Sequence, residues 1–329
     1  MKVIVTGAAG FIGSHICERL INSKKIRKIT AIDNLKDGNV KNVKSILYSK
    51  KFKFVKCDIN KKKNLEKIFR NHDIVIHLAA LSDIVPSIEN PYEYLNTNIN
   101  GTLNILETMR KLRIKKIVYA ASSSCYGITK KLPTKESSKI DTRYPYSFSK
   151  YIGEKLVEHW SQVFKIKYIS LRLFNVYGTR SRTNGAYGAA LGVFLKQKIE
   201  KKPFTVVGNG NQKRDFVNVK DVAEAFYKSI FSKQKNEIIN IGYGKPSSIN
   251  SMLEILGGTK VYVPKRPGEP KVTHADISKA KKILGWKPKI DLYNGLNEVL
   301  KNINYWKNTP LWTKENIKKA TENWFKYLK

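Results

Sequence analysis

One stretch constrains this 329-residue chain more than any other: Gly7-x-x-Gly10-x-x-Gly13, lying between the short apolar run Lys2–Thr6 and a helical pattern that continues to about Ile21. A strand that turns through closely spaced glycines into a helix puts bare backbone N–H groups and a helix N-terminus at one point, which is an anion-binding geometry. The first glycine permits the tight turn, and the second lets backbone approach a pyrophosphate. Asp33 lies twenty residues past Gly13, at the end of the next apolar run, Lys28–Ile32. A carboxylate there suits the hydroxyls of an adenosine ribose and repels a 2′-phosphate, so the expected cofactor is NAD rather than NADP. Asp58 ends a third run, Phe52–Lys56, where it either meets an adenine edge or caps the helix that follows.

The alternation continues. Apolar runs at Asp73–His77, Lys116–Ala120 and Lys167–Leu171 are separated by helical patterns, notably Pro91–Leu112 and Pro145–Phe164. Strand-helix alternation implies right-handed crossovers and a parallel sheet covered on both faces. The expected fold is therefore α/β, a Rossmann-like doubly wound parallel sheet with a smaller mixed α/β substrate-binding domain. Residues 1–175 form the expected cofactor domain, with 221–241 returning to it. Residues 176–300 form the second domain, and 301–329 a helical tail whose last stretch, Lys314–Leu328, reads as one docked helix. In such sheets ligands bind beyond the carboxyl ends of the strands, here at Gly7, Asp33, Asp58, Ala79, Ser122 and Asn175.

Lys and Arg number 62 against 26 Asp and Glu, a net charge of +36, which raises the question of a nucleic-acid partner. Only eleven of these basic residues are arginine, and the lysines are spread along the whole chain. Base readout favours arginine, and single-strand binding needs basic residues interleaved with aromatics in one groove. The excess reads as a solvated lysine surface, with no nucleic-acid partner; a basic nucleic-acid-binding protein on the same scaffold is the alternative. No apolar run reaches membrane-spanning length, and no signal peptide or disulfide pattern is read around Lys2 or among Cys17, Cys57 and Cys125. The expected location is the cytoplasm. His15, His72, His77, His159 and His274 are scattered, so no metal site is expected, and His77 reads as a core histidine.

Tyr146 and Lys150 stand at i and i+4 near the start of the Pro145–Phe164 helix, on one face. An ammonium near a phenol favours the phenolate, making the tyrosine a candidate general base. With the strand-end serines Ser122-Ser123-Ser124, these residues resemble the extended short-chain dehydrogenase/reductase family, and within it the nucleotide-sugar 4-epimerases. The resemblance rests also on His77-Leu-Ala-Ala80, Asn96-Thr-Asn98, Arg172-Leu-Phe-Asn175, Arg214-Asp215-Phe216, Arg266-Pro-Gly-Glu269 and Gly285-Trp286-x-Pro288.

The resemblance implies roles. Ser122 would hydrogen-bond the sugar's 4-hydroxyl, Tyr146 act as base, and Lys150 hold the nicotinamide ribose. Gly7, Gly10, Phe11, Ile12, Gly13, Asp33, Asn34, Asp58, Ile59, Leu78, Ala79, Ala80 and Asn98 would surround NAD. Ser122, Ser123, Asn175, Glu269 and Thr273 would face the nucleotide sugar, a UDP-sugar by the resemblance, with Arg214 and Arg266 on its diphosphate; surface pairing of these arginines with Asp215 and Glu269 is the plainer reading. Thr273 occupies a gate position where a tyrosine confines the pocket to plain hexoses and a smaller residue admits an N-acetyl group. The family's dimer-forming helices match Pro91–Leu112 and Pro145–Phe164, implying a homodimer.

Departures narrow the chemistry. The 4,6-dehydratases of this family carry an Asp-Glu pair where this chain has Ser123 and Ser124. Cys125 is one residue before Tyr126, not at the two-residue offset of the 3,5-epimerases, and reads as a packed neighbour. The segment Tyr187–Phe194 lacks the Asn-Leu signature of many UDP-galactose 4-epimerases. The expected reaction is reversible C4 epimerisation of a UDP-hexose or UDP-N-acetylhexosamine; a 4-dehydrogenase, 4-keto reductase or 4,6-dehydratase is the alternative.

Overall fold

The computed structural model describes residues 1–181 and 190–328. The first half runs β1 (Lys2–Thr6), α1 (Phe11–Ile21), β2 (Lys28–Asp33), β3 (Phe52–Lys56), α2 (Lys62–Phe69), β4 (Ile74–His77), α3 (Ile84–Glu89), α4 (Pro91–Leu95), α5 (Gly101–Lys111), β5 (Lys116–Ser122), α6 (Pro145–Phe164) and β6 (Lys167–Leu173). The second continues with β7 (Asn175–Tyr177), α7 (Ala190–Ile199), β8 (Phe204–Val207), β9 (Lys213–Arg214), β10 (Phe216–Asn218), α8 (Val219–Phe231), β11 (Glu237–Ile241), β12 (Ser247–Ser248), α9 (Ile249–Leu256), β13 (Lys260–Val263), α10 (Ser278–Leu284), α11 (Leu292–Lys301), α12 (Lys314–Ala320) and α13 (Glu322–Tyr327).

Seven strands form one sheet in the order β11-β6-β5-β4-β1-β2-β3, with every neighbouring pair parallel. Because strand side chains alternate between faces, each apolar strand feeds two cores. Val3 and Val5 pack with Ile16 and Leu20 of α1 and with Phe226 and Ile230 of α8. Ile4, between them, packs with Leu65 of α2, Ile105 and Met109 of α5 and Val157 of α6. Continuous apolar strands are what a sheet covered on both faces requires. The sheet's order reverses between β1 and β4, which opens a crevice at their carboxyl ends, where Gly7 and Ala79 lie.

Beyond Tyr177 the chain builds a smaller lobe. Phe204 and Val206 of β8, Met252 and Leu253 of α9, Leu296 and Val299 of α11, and Trp306 share its separate core. The excursion expected at 221–241 lies in the large sheet: β11 pairs with β6, and α8 covers one face.

Two expected helices are irregular. The Pro91–Leu112 pattern is one continuous helical run made of α4, a wider π turn at Asn96–Asn100, and α5. Asparagines are poor in helix interiors, and here Asn98 turns inward, its amide holding both the N–H and C=O of Leu81 at 2.8 and 3.0 Å. The terminal pattern is interrupted at Thr321, whose hydroxyl donates back to the Ile317 and Lys318 carbonyls at 2.9 Å each, leaving two short consecutive helices, α12 and α13. Among the described residues no helix is long and apolar enough to cross a membrane.

Candidate active site

A cavity of about 1470 Å³ runs across the carboxyl ends of the strands and under the smaller lobe. That exceeds the roughly 300–1,000 Å³ of an ordinary single-ligand pocket. Every residue expected at the site lines it except Asn98. Asn98 is 1% exposed and lies beneath the wall, where it fastens Leu81 and donates to Ser149 Oγ at 2.9 Å. It supports the cofactor loop rather than facing the cavity.

The cofactor end begins at the glycine turn. Gly7 has φ +68°, and a Cβ there would meet the Ala79 backbone nitrogen at 2.8 Å; one on Gly13 would lie 2.1 Å from the Gly7 carbonyl. Only bare backbone fits between β1, β4 and α1, and no side chain caps α1. Its first N–H groups, at Phe11, Ile12 and Gly13, therefore border the cavity with the positive end of the helix dipole. Asp33 closes β2, its carboxylate accepting from the Ala9 N–H at 3.0 Å and the Leu35 N–H at 2.8 Å. Burial pushes its pKa up, against these bonds and a further one from the Gly10 backbone. Asp58 accepts from Asn60 N–H at 2.8 Å and Asn34 Nδ2 at 3.1 Å, so it holds a turn and not the start of α2. Leu78, Ala79, Ala80 and Ile59 supply apolar wall. These donors, the dipole and the buried carboxylate fit a dinucleotide.

Deeper in, β5 ends at Ser122 and α6 begins at Pro145, and the two bring the catalytic candidates together. Tyr146 Oη donates to Ser122 Oγ at 3.3 Å, and Ser122 Oγ lies 2.8 Å from Ser124 Oγ. Lys150 is buried one turn further along, its Nζ 4.5 Å over the Tyr119 ring. Burial pulls Lys150 down to about 7, partly opposed by Glu154, and burial raises Tyr146, partly opposed by the Ser122 bond. The tyrosine is thus raised rather than lowered beside the lysine, because desolvation disfavours both charged forms. Cys125 is a packed neighbour 2% exposed, its thiol pushed up to about 12 by burial. His77 is a core residue, bonded to Thr6 Oγ1 at 2.7 Å and Thr102 Oγ1 at 3.0 Å.

At the far end, Arg214 makes an ion pair with Glu269 at 2.8 Å and donates to the Lys213 and Pro270 carbonyls at 2.9 Å each. This pair forms part of the cavity wall rather than the outer surface. Asp215 takes no part in it; its carboxylate accepts the backbone N–H groups of Tyr243, Gly244 and Ala275. The Arg266 guanidinium sits 5.8 Å over the Trp324 ring. Thr273 donates to Asn175 Oδ1 at 2.8 Å and accepts from Asp215 N–H at 3.0 Å. Within the Tyr187–Phe194 segment, residues 187–189 lie outside the described residues, and Leu191, Val193 and Phe194 of α7 line the cavity.

Several lining residues carried no signal in the sequence. Tyr144 stacks on Tyr146 with ring centroids 6.4 Å apart, and Arg180 binds Glu18 and the Asn42 carbonyl where the two lobes meet. Ile317 of α12 and Trp324 of α13 also reach the cavity. Distances of this kind across the chain leave no local pattern to read.

The sequence profile of the NAD dependent epimerase/dehydratase family matches residues 3–242. The chain belongs to that family, and its cofactor is NAD. A UDP-glucuronate 4-epimerase of Thermodesulfobacterium geofontis is 38% identical, over 95% of this chain and 96% of its own. The solved UDP-N-acetylglucosamine 4-epimerase of Methanobrevibacter ruminantium, in complex with UDP-N-acetylmuramic acid, has a TM-score of 0.84 at 32% identity, covering 92% of this chain and 98% of that one. The UDP-glucose 4-epimerase of Thermotoga maritima, solved with UDP-glucose, has a TM-score of 0.85 at 31% identity, covering 93% and 99%.

Proposed function

We propose that this protein inverts C4 of a UDP-sugar, reversibly and without net oxidation, with UDP-hexoses and UDP-N-acetylhexosamines as substrates. The observation that carries this reading is the convergence of Tyr146, Ser122 and Lys150 in one cavity with Arg214 and Arg266, without a carboxylate at positions 123 and 124. A dehydratase needs an acid and a base beside the sugar's C5 and C6, and two serines supply neither efficiently.

In this reading Tyr146 takes the proton of the 4-hydroxyl and later returns it, while Ser122 holds that oxygen in line. Lys150 fixes the cofactor's ribose, and its charge, when present, favours the phenolate. The chemistry NAD supplies when bound is reversible oxidation at the sugar's C4. Arg214 and Arg266 grip the diphosphate as planar forks while the keto sugar turns, which keeps the intermediate inside the cavity. Asp33 meets the adenosine ribose. Nucleic acid has no part in this reading.

The test is NMR of UDP-glucose, UDP-N-acetylglucosamine, UDP-glucuronate and their dTDP and GDP counterparts, each with enzyme and trace NAD. Interconversion of a C4 pair at catalytic NAD supports the reading. Oxidation of sugar only in proportion to added NAD overturns it in favour of a 4-dehydrogenase.

A further inference from the structure

We propose that the terminal helices α12 and α13 form a wall of the nucleotide-sugar site, with Trp324 as the positioning residue that seats Arg266 and Tyr144. This rests on the proposed UDP-sugar reading. These helices follow Tyr146 by just over half the chain, yet Ile317 and Trp324 are 6% and 3% exposed and both line the catalytic cavity.

Trp324 makes three contacts of different kinds. Its Nε1–H donates to the Pro267 carbonyl at 2.7 Å, fastening α13 to the loop that carries Arg266 and Glu269. Its ring lies 5.8 Å from the Arg266 guanidinium. It also meets Tyr144 at 6.4 Å, tilted by 42°, and Tyr144 stacks on Tyr146 at 6.4 Å with planes 7° apart. One aromatic series therefore runs from the diphosphate arginine to the catalytic base. Beside it, Asn323 donates to Glu89 of α3 at 3.2 Å. The terminal helices thus bridge the cofactor lobe and the substrate loop across the cavity.

The physical consequence concerns binding. An arginine in a loop over solvent loses rotamer freedom when it closes on a phosphate, which weakens association. A guanidinium already held on an indole face has lost that freedom beforehand, and the cation–π attraction keeps it oriented. Removal of the ring should weaken nucleotide binding and leave the chemistry at C4 nearly untouched.

The test uses the full-length, NAD-loaded protein and its Trp324→Leu and Trp324→Phe variants, with UDP titrated by calorimetry and initial rates measured on the turned-over sugar. Trp324→Leu is expected to raise the UDP Kd and the sugar KM about tenfold, with kcat and retained NAD nearly unchanged. Trp324→Phe keeps a ring face and should restore most of the affinity. A folded, NAD-loaded Trp324→Leu protein with wild-type UDP affinity overturns the proposal, as does a Phe variant no better than Leu. If Leu does not fold, hydrogen exchange on the wild type decides: UDP should slow exchange across residues 314–327, and unchanged exchange overturns the role of these helices. A wild type that binds UDP and turns over no sugar defeats the proposed reaction instead, since the titration still reads the terminal helices.

Discussion

Tyr146 donates its phenol hydrogen to Ser122 across 3.3 Å, joining the first turn of α6 to the last residue of β5. The two residues are held by a strand of the sheet and by the helix packed on it, so their spacing is set by packing and not by a flexible loop. A substrate hydroxyl entering between them exchanges one hydrogen bond for two.

Loss of the phenol oxygen tests that arrangement. Tyr146→Phe keeps the ring stacked on Tyr144 and should lower kcat about 100-fold or more, with little change in UDP affinity. A variant of near wild-type rate would show that Tyr146 is not the base.

Asp33 tests the choice of cofactor. Asp33→Asn keeps the size, can accept only one of the Ala9 and Leu35 N–H groups, and removes the repulsion of a 2′-phosphate, so NAD should bind more weakly and NADP better. Fluorescence titration of both cofactors measures this; a wild type that uses both equally would refute the ribose assignment.

Thr273 tests sugar selection. Thr273→Tyr should suppress turnover of UDP-N-acetylglucosamine about tenfold or more and spare UDP-glucose. Thr273→Val separates bulk from bonding, because it keeps the volume and loses only the bonds to Asn175 and Asp215. If the wild type turns over UDP-glucose and ignores the N-acetyl sugar, the gate assignment is wrong.

Lys150 predicts a pH dependence of stability. Folding pulls it down to about 7, whereas a lysine in an unfolded chain titrates near about 10.4. Between these values the unfolded state binds more protons, so stability of the cofactor-free protein should rise from pH 7 toward pH 10. Thermal melts of Lys150→Met should be flatter over that window. Equal slopes would mean that Lys150 is not the titrating group.

The long helices leave Tyr92 81% exposed on α4, and Phe148 and Val163 of α6 44% and 51% exposed. Pairing of these helices with a second copy would cover them, so light scattering at micromolar concentration should give a homodimer mass. A monomer would contradict it.

What was legible in the sequence was local. The glycine turn, the carboxylate ending β2 and the Tyr146–Lys150 spacing each lie within one strand-turn-helix unit, where backbone geometry alone determines what neighbours what. The alternation of apolar runs and helical patterns likewise determined the sheet, since strands buried on both faces leave few other arrangements. Tertiary structure decided everything that joins distant residues. It turned Asn98 away from the cavity to hold Leu81, because an inward amide beside a buried loop must find partners. It placed Glu269 on Arg214 and left Asp215 to backbone N–H groups. It raised Tyr146 and lowered Lys150 together, since burial acts on both and no spacing along a helix reports it. And it brought Trp324 to the catalytic cavity, where a residue near the end of the chain had only a helical period to announce it. Sequence neighbours interact through geometry fixed by the backbone, whereas these partners meet only because the whole chain has packed.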